Sequence, residues 1–429
     1  MILPFDFSHG DLPLAFDSSL LDKLMDFANL DILLVTSKHN VQYLLGGHRC
    51  SFFGCMDAIG VSRYLPIFVY PKGRPDQAMY VGNEMEAYQE EVEPLRVPVA
   101  ALNAWGTVDA IRLAVSHIRE RALSARRLGI EAAFLPSDAY LALRAALPDT
   151  ELVDALLVLE RLRARKTPEE LLILREASAK VVDAMLAVVA SHGVGTTKRC
   201  LADALRREEV ARGLTFEYCL IAMGQNLNRE PSEQVWREGE VLSLDSGGNL
   251  HGYIGDLARM AILGNPDSEL CDLLACVDEI QQMARGQIRP GARGGEIYAA
   301  VEPLMHRLGR RLDMRFVAHG MGLIAHEAPR LTANGPVPYS ADDANEPLQP
   351  GMVLSIETTL LHPRRGFIKL EDTVAVAAAG SEGFGDWGRG WNRAMETTQS
   401  SSEANPSGAG EDRTAGDDRQ TGPRDQATL

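Results

Sequence analysis

Two stretches of this chain are apolar enough to be buried strands, yet each carries a pair of acids. The first is VLSLDSGGNLHGYIGDLARMAIL, residues 241–263, and the second is GMVLSIETTLLHPRRGFIKLEDTVAV, residues 351–376. A lone carboxylate within such a strand is costly to bury unless it is paired or bound to a cation. Folded as a β-hairpin around Asn249-Leu250-His251-Gly252, the first stretch sets Asp245 opposite Asp256. A turn at Pro363-Arg364-Arg365-Gly366 in the second makes Glu357 and Glu371 near cross-strand neighbours. Taken singly, each acid could be a strand-end residue paired with a base. As a set joined by His319, they read as a hard, oxygen-rich cage suited to Mn, Co, Fe or Zn ions.

The rest of the chain narrows what such a cage could serve. Its 429 residues are enough for two ordinary domains, and 45% hydrophobic with 24% charged residues is a globular composition. A net charge of −16 argues against a nucleic-acid partner, because phosphate contacts need a basic face. The start, MILPFDFSHGDLPLAFDSS, has neither a basic segment nor a long apolar core, so no secretory signal is expected. No apolar run reaches the length of a membrane span. The cysteines at 50, 55, 200, 219, 271 and 276 lack zinc-finger spacing. They read as reduced thiols of a cytoplasmic protein.

Three segments are expected: an α/β domain over residues 1–160, a second, α+β domain over 161–395, and a disordered tail over 396–429. In the first, Ile32–Val35 and Leu65–Tyr70 read as buried strands, and 107–123 and 138–146 as helices. No glycine-rich phosphate loop follows its strands. The second opens on a helix capped by Thr167, with Pro168 at its first position and Glu170 completing a capping box. Arg289-Pro290-Gly291 is a turn before a helix, since the lysine and hydroxyl residue of a phosphate loop are missing. The tail is polar throughout and cannot bury enough surface to offset its chain entropy.

With the hairpins and the segment HGMGLIAHEAP, residues 319–329, the second domain resembles the pita-bread metallopeptidases: methionine aminopeptidase, aminopeptidase P, prolidase and their metal-free relative creatinase. LRARKTPEELLILREA resembles the linker helix of the prolidase and aminopeptidase P branch, and the preceding residues its creatinase-like N-terminal domain. The resemblance implies two divalent metal ions. Asp245 would hold one with both oxygens, Asp256 and Glu371 would bridge, and His319 and Glu357 would belong to the other. A hydroxide nucleophile, Glu357 as proton shuttle and His326 at the substrate carbonyl complete the implied hydrolysis of a short peptide or amide. A homodimer is also implied.

This chain departs from the pattern. The segment where peptidases of the group carry a further histidine is MGQNLNREPSEQVWREGE, which has none, and Asn228 or Arg229 falls nearest its place. Lys369 stands where the group has arginine, keeping charge but losing the planar fork that grips a carboxylate. Thr358-Thr359 follows Glu357 in place of Pro-Gly. In YLLGGHRCSFFG, residues 43–54, His48, Arg49 and Phe53 resemble a loop that reaches into a neighbouring subunit's site, and with Lys369 they are candidate substrate contacts. Two alternatives follow: hydrolysis or lysis of a small non-peptide C–N compound, or a pita-bread binding protein without catalysis.

Overall fold

The computed structural model describes residues 14–50, 64–90, 95–308, 313–337 and 340–394. Phe53 and the tail expected to be disordered lie outside them. The N-terminal domain is a six-stranded mixed sheet in the order β4-β3-β2-β1-β5-β6. Its strands are β1 (Ile32–Val35), β2 (Ile67–Pro71), β3 (Met79–Asn83), β4 (Val99–Ala104), β5 (Arg127–Ile130) and β6 (Glu151–Asp154). Leu33 and Val35 point into one apolar cluster, Ile32 and Leu34 into another on the opposite face. Helices on both faces explain why β1 is an unbroken apolar run rather than an alternating one.

The link to the second domain is the helix Pro168–Ser191. Its start is built as the sequence requires: the Thr167 hydroxyl accepts from the Glu170 amide, and the Glu170 carboxylate accepts from the Thr167 amide at 2.6 Å.

The second sheet runs β10-β11-β12-β9-β8-β7 and is antiparallel along that path. That path comprises β7 (Thr215–Met223), β8 (Val241–Leu250), β9 (Tyr253–Ile262), β10 (Asp313–Gly320), β11 (Val353–His362) and β12 (Gly366–Val376), and two short strands, Ser381–Phe384 and Asn392–Arg393, pair with β12 and β9 to bring the sheet to eight. On its rear face, Leu242, Leu244 and Leu257 pack on Val181, Met185 and Val188 of the linker helix. Ile368 and Leu370 pack on Leu274 and Val277 of the helix Ser268–Gln287. Each of these side chains contributes about 1.5–3 kcal/mol through burial. Alternation along the strands therefore commits their other residues to the front face.

The first hairpin corrects the expected register. Asp245 pairs with Ala258 and Asp256 with Gly247, so the two acids are diagonal neighbours and not directly opposed. The cause is the turn: Leu250 pairs with Tyr253, leaving a two-residue loop of His251 and Gly252 with φ of 51° and 97°. Both are left-handed, as a type I′ turn demands. A slip of two keeps the parity of the strand, so both acids still share one face. In the second hairpin Glu357 and Glu371 are direct partners.

Candidate metal centre

Three adjacent rows across the front of the sheet build the site. The middle row runs Asp245 (β8), Ala258 (β9), Glu371 (β12), Glu357 (β11) and Val317 (β10). One row to one side, Asp256 on β9, Thr373 on β12, Ser355 on β11 and His319 on β10 project the same way. One row to the other side, Lys369 on β12 faces Thr359 on β11. Four acids, one imidazole and one ammonium thus converge because the strands alternate and the two hairpins lie side by side.

Asp245, Asp256, His319, Lys369 and Glu371 are buried and Glu357 is half-buried. One ligand atom from each of Asp256, His319 and Glu371 falls within 4.8 Å of the others. His319 Nε2 lies 3.9 Å from both Glu357 Oε1 and Glu371 Oε1 and has no hydrogen-bond partner. Its Nδ1 faces the Gly320 carbonyl at 3.3 Å, which places the ring proton there and leaves a lone pair on Nε2 aimed at two anionic oxygens. A buried lone pair directed at carboxylates is satisfied by a cation between them. The residues therefore fit one divalent ion.

Charge crowding shows in the acids. Burial, then Glu371 and Asp245, push Asp256 well above the usual carboxylate range. Burial also raises Asp245, against the pull of Lys369. Tyr218 on β7 donates its hydroxyl to Asp256 Oδ1. Its ring crosses the strand over Gly247, where a Cβ would lie 2.4 Å from the tyrosine ring, so only glycine admits this contact.

His326 reaches the centre because the loop after β10 doubles back, with Glu327 bridging to Gly320. The His326 ring stacks on His319 with centroids 3.8 Å apart and an angle of 26°. Burial, then His319 and Lys369, lower its pKa to about 3, so it is a neutral hydrogen-bonding group in ordinary buffers. Glu327, beside it, is buried against Lys166 at 2.9 Å and Arg163 at 3.0 Å, and Arg163 donates to Asn40 in the N-terminal domain.

Lys369, expected as a substrate contact, lines the cavity over the acids and is buried among them. Its Nζ lies 2.6 Å from Asp245 Oδ2, 2.6 Å from Glu357 Oε2 and 2.8 Å from Glu371 Oε2. The directed hydrogen bond goes to Asp245, and Glu357 and Glu371 are held as ion pairs. Burial works against its charge, but Asp245, Glu371 and Glu357 outweigh this and hold its pKa well above the ordinary lysine value. Arg229, near the place of the missing histidine, pairs with the same Asp245 oxygen and lies over the Phe367 ring at 5.0 Å. His48 is held at 3.1 Å by Glu86 within its own domain, and Arg49 donates to Asn249 at 3.3 Å. Neither enters this chain's own centre.

A cavity of about 570 Å³ opens over the acids, lined also by Arg229, Arg315, His326 and Phe367. Sequence reasoning missed Tyr218 and Arg315. The glycine pair 247–248 inside an apolar strand was the available signal for Tyr218, since a bare backbone there invites close approach.

Fold and site define a pita-bread metal centre behind a creatinase-like domain. The Metallopeptidase family M24 profile matches residues 173–378, and the Creatinase/Prolidase N-terminal domain profile matches residues 19–165. The chain belongs to the pita-bread metallopeptidase superfamily and is a metal-dependent hydrolase. An uncharacterized peptidase of Bacillus subtilis, YqhT, is 24% identical over 370 residues, covering 84% of this chain and 95% of that protein. A probable dipeptidase, PepE, of Mycobacterium tuberculosis is 31% identical over 234 residues, 52% of this chain and 59% of its own length. The structure of an Xaa-Pro dipeptidase from Bacillus anthracis superposes with a TM-score of 0.73 at 21% identity, covering 88% of this chain and 98% of that one. An X-Pro aminopeptidase from Thermotoga maritima gives 0.68 at 18% identity, covering 88% and 99%.

Proposed function

We propose that this chain hydrolyses the amide bond of a short peptide or similarly small substrate, as a cytoplasmic homodimer. The observation that carries this is the convergence of Asp245, Asp256, His319, Glu357 and Glu371 on one sheet face, at the floor of a cavity of about 570 Å³. That volume suits a ligand of a few residues. When bound, a divalent ion held by Asp256, His319 and Glu371 would supply Lewis-acid activation; carboxylate and imidazole ligands are compatible with Mn, Co, Fe or Zn.

The chain's own groups handle the remaining chemistry. His326, neutral and stacked on His319, donates a hydrogen bond to the substrate carbonyl oxygen as negative charge grows there. Glu357, half-buried at the cavity wall, takes a proton from the attacking water and returns it to the amine released when the C–N bond breaks. Arg229 and Arg315 line the cavity and complement a carboxylate on the substrate. Because Arg229 occupies the neighbourhood where related peptidases carry histidine, a small anionic C–N compound that is not a peptide is the second reading.

The test is turnover of Xaa-Pro dipeptides, other dipeptides and small anionic amides by the full chain supplied with Mn or Co. Asp256→Ala is expected to abolish both activity and metal uptake. His326→Ala is expected to lower kcat by about 10²–10³-fold with metal content unchanged. Full activity in Asp256→Ala would overturn the assignment.

A further inference from the structure

Resting on the reading of this site as a metal centre, we propose that it holds one divalent ion per chain and not two, with the Lys369 ammonium built in as the second cation. The two-ion arrangement needs Asp245 with both oxygens, together with a share of Asp256 and Glu371. Asp245 and one oxygen of Glu371 already face fixed cations. Asp245 Oδ2 receives Lys369 at 2.6 Å and the Arg229 guanidinium as well. Lys369 Nζ also forms ion pairs with Glu371 Oε2 at 2.8 Å and Glu357 Oε2 at 2.6 Å, although its directed hydrogen bond goes to Asp245 and Glu371 Oε2 has no hydrogen-bond partner.

On the other side of the cluster the donors stand ready. His319 Nε2 is buried without a partner and faces Glu357 Oε1 and Glu371 Oε1, the oxygens that Lys369 does not touch; Glu371 Oε1 accepts from the Ser355 hydroxyl at 2.8 Å, which orients it and leaves a second lone pair for an ion. The two ends of each glutamate are thus divided between a fixed organic cation and the side from which His319 and Asp256 would hold a metal ion.

Charge and anchoring favour the same division. The four carboxylates, set against Lys369 and Arg229, leave two negative charges, which one divalent ion cancels. A second ion would carry the buried cluster to an excess of positive charge, which a low-dielectric setting penalises. Lys369 cannot leave cheaply, because its strand neighbours Ile368 and Leu370 are anchored in the rear core and its Cα is fixed opposite Thr359. Asp245 then serves as counter-ion to Lys369 and Arg229, and the ion-binding work falls to Asp256, His319 and Glu371 with Glu357 at the edge. In the two-ion reading Asp245 is indispensable for one ion; here it binds none.

The experiment is metal stoichiometry on the purified full chain. After exhaustive loading with Mn(II) and removal of free ion, metal is counted by mass spectrometry and the spin spectrum is recorded. One Mn per chain with the hyperfine pattern of an isolated ion is expected. That ion should vanish in Asp256→Ala and persist in Asp245→Asn. Lys369→Met, which keeps side-chain length and removes charge, should admit a second ion. Two ions in the unaltered chain, an exchange-coupled spectrum, or loss of the ion in Asp245→Asn would overturn the proposal and leave the hydrolase reading standing. No bound metal at all would overturn both.

Discussion

Replacing Glu209 by glutamine should make this protein more stable in alkaline buffer and change little in acid. Glu209 lies on the helix Lys198–Ala211, fully buried beneath β8, where the Ser246 hydroxyl donates to its Oε1 at 2.7 Å. Its Oε2 has no partner. Burial raises its pKa from 4.5 to about 8, against the Ser246 hydrogen bond and with help from Glu217. The native state therefore keeps a proton that the unfolded chain releases above pH 4.5. Stability from this group is fully present below that pH, falls as pH rises through the window to about 8, and is flat beyond it.

At about 1.4 kcal/mol per pKa unit, the full loss across the window is on the order of 5 kcal/mol, a ceiling that local relaxation and water entry lower. Glutamine keeps the shape and the acceptor for Ser246 but cannot ionise. Thermal unfolding of both proteins, followed from pH 5 to pH 9 at fixed metal concentration, should show nearly equal Tm values in acid. A gap of several degrees favouring Glu209→Gln should open by pH 9. A gap independent of pH, or one favouring glutamate at high pH, would refute the reasoning. The position also matters to the site: Ser246 is the neighbour of Asp245 on the same strand.

Two further outcomes test how the centre is held. Glu327→Ala leaves Arg163 and Lys166 buried without their shared carboxylate and should cost about 3–5 kcal/mol, read as a lower Tm, with weakened turnover because His326 is adjacent. Tyr218→Phe removes the hydroxyl that orients Asp256 and should weaken Mn(II) affinity about 10–100-fold by calorimetric titration, with the fold intact.

The acids of the site were legible because carboxylates in apolar strands have few physical explanations, and the parity of a strand fixes which face they share. The capped helix at Thr167 was legible for a similar reason: its signals are local. The exact partners in the first hairpin were not. They depend on whether His251 accepts a left-handed backbone, and asparagine at 249 drew the expected turn toward itself. The depth of Lys369 was hidden as well. Its place one row from Glu371 is readable, but not that its chain bends inward to meet Asp245 from the other hairpin. Arg229 could be placed only near a gap in a motif, since a loop's side-chain direction is set by contacts such as the Phe367 ring.

The two acid-bearing hairpins meet along a seam where the β9–β12 register consists of one pair, Ala258 with Glu371. A junction so thin would part easily if backbone bonds alone closed it. Arg259 spans it from behind, donating to the Glu371 carbonyl at 2.8 Å and to Asp372 Oδ1 at 3.1 Å. In front, Lys369 clasps Asp245 from one hairpin and Glu357 and Glu371 from the other. The second domain of this molecule is thus sewn together by positive charge on both sides of the cloth, and the pocket proposed for the chemistry is also the fastening that keeps its two hairpins in register.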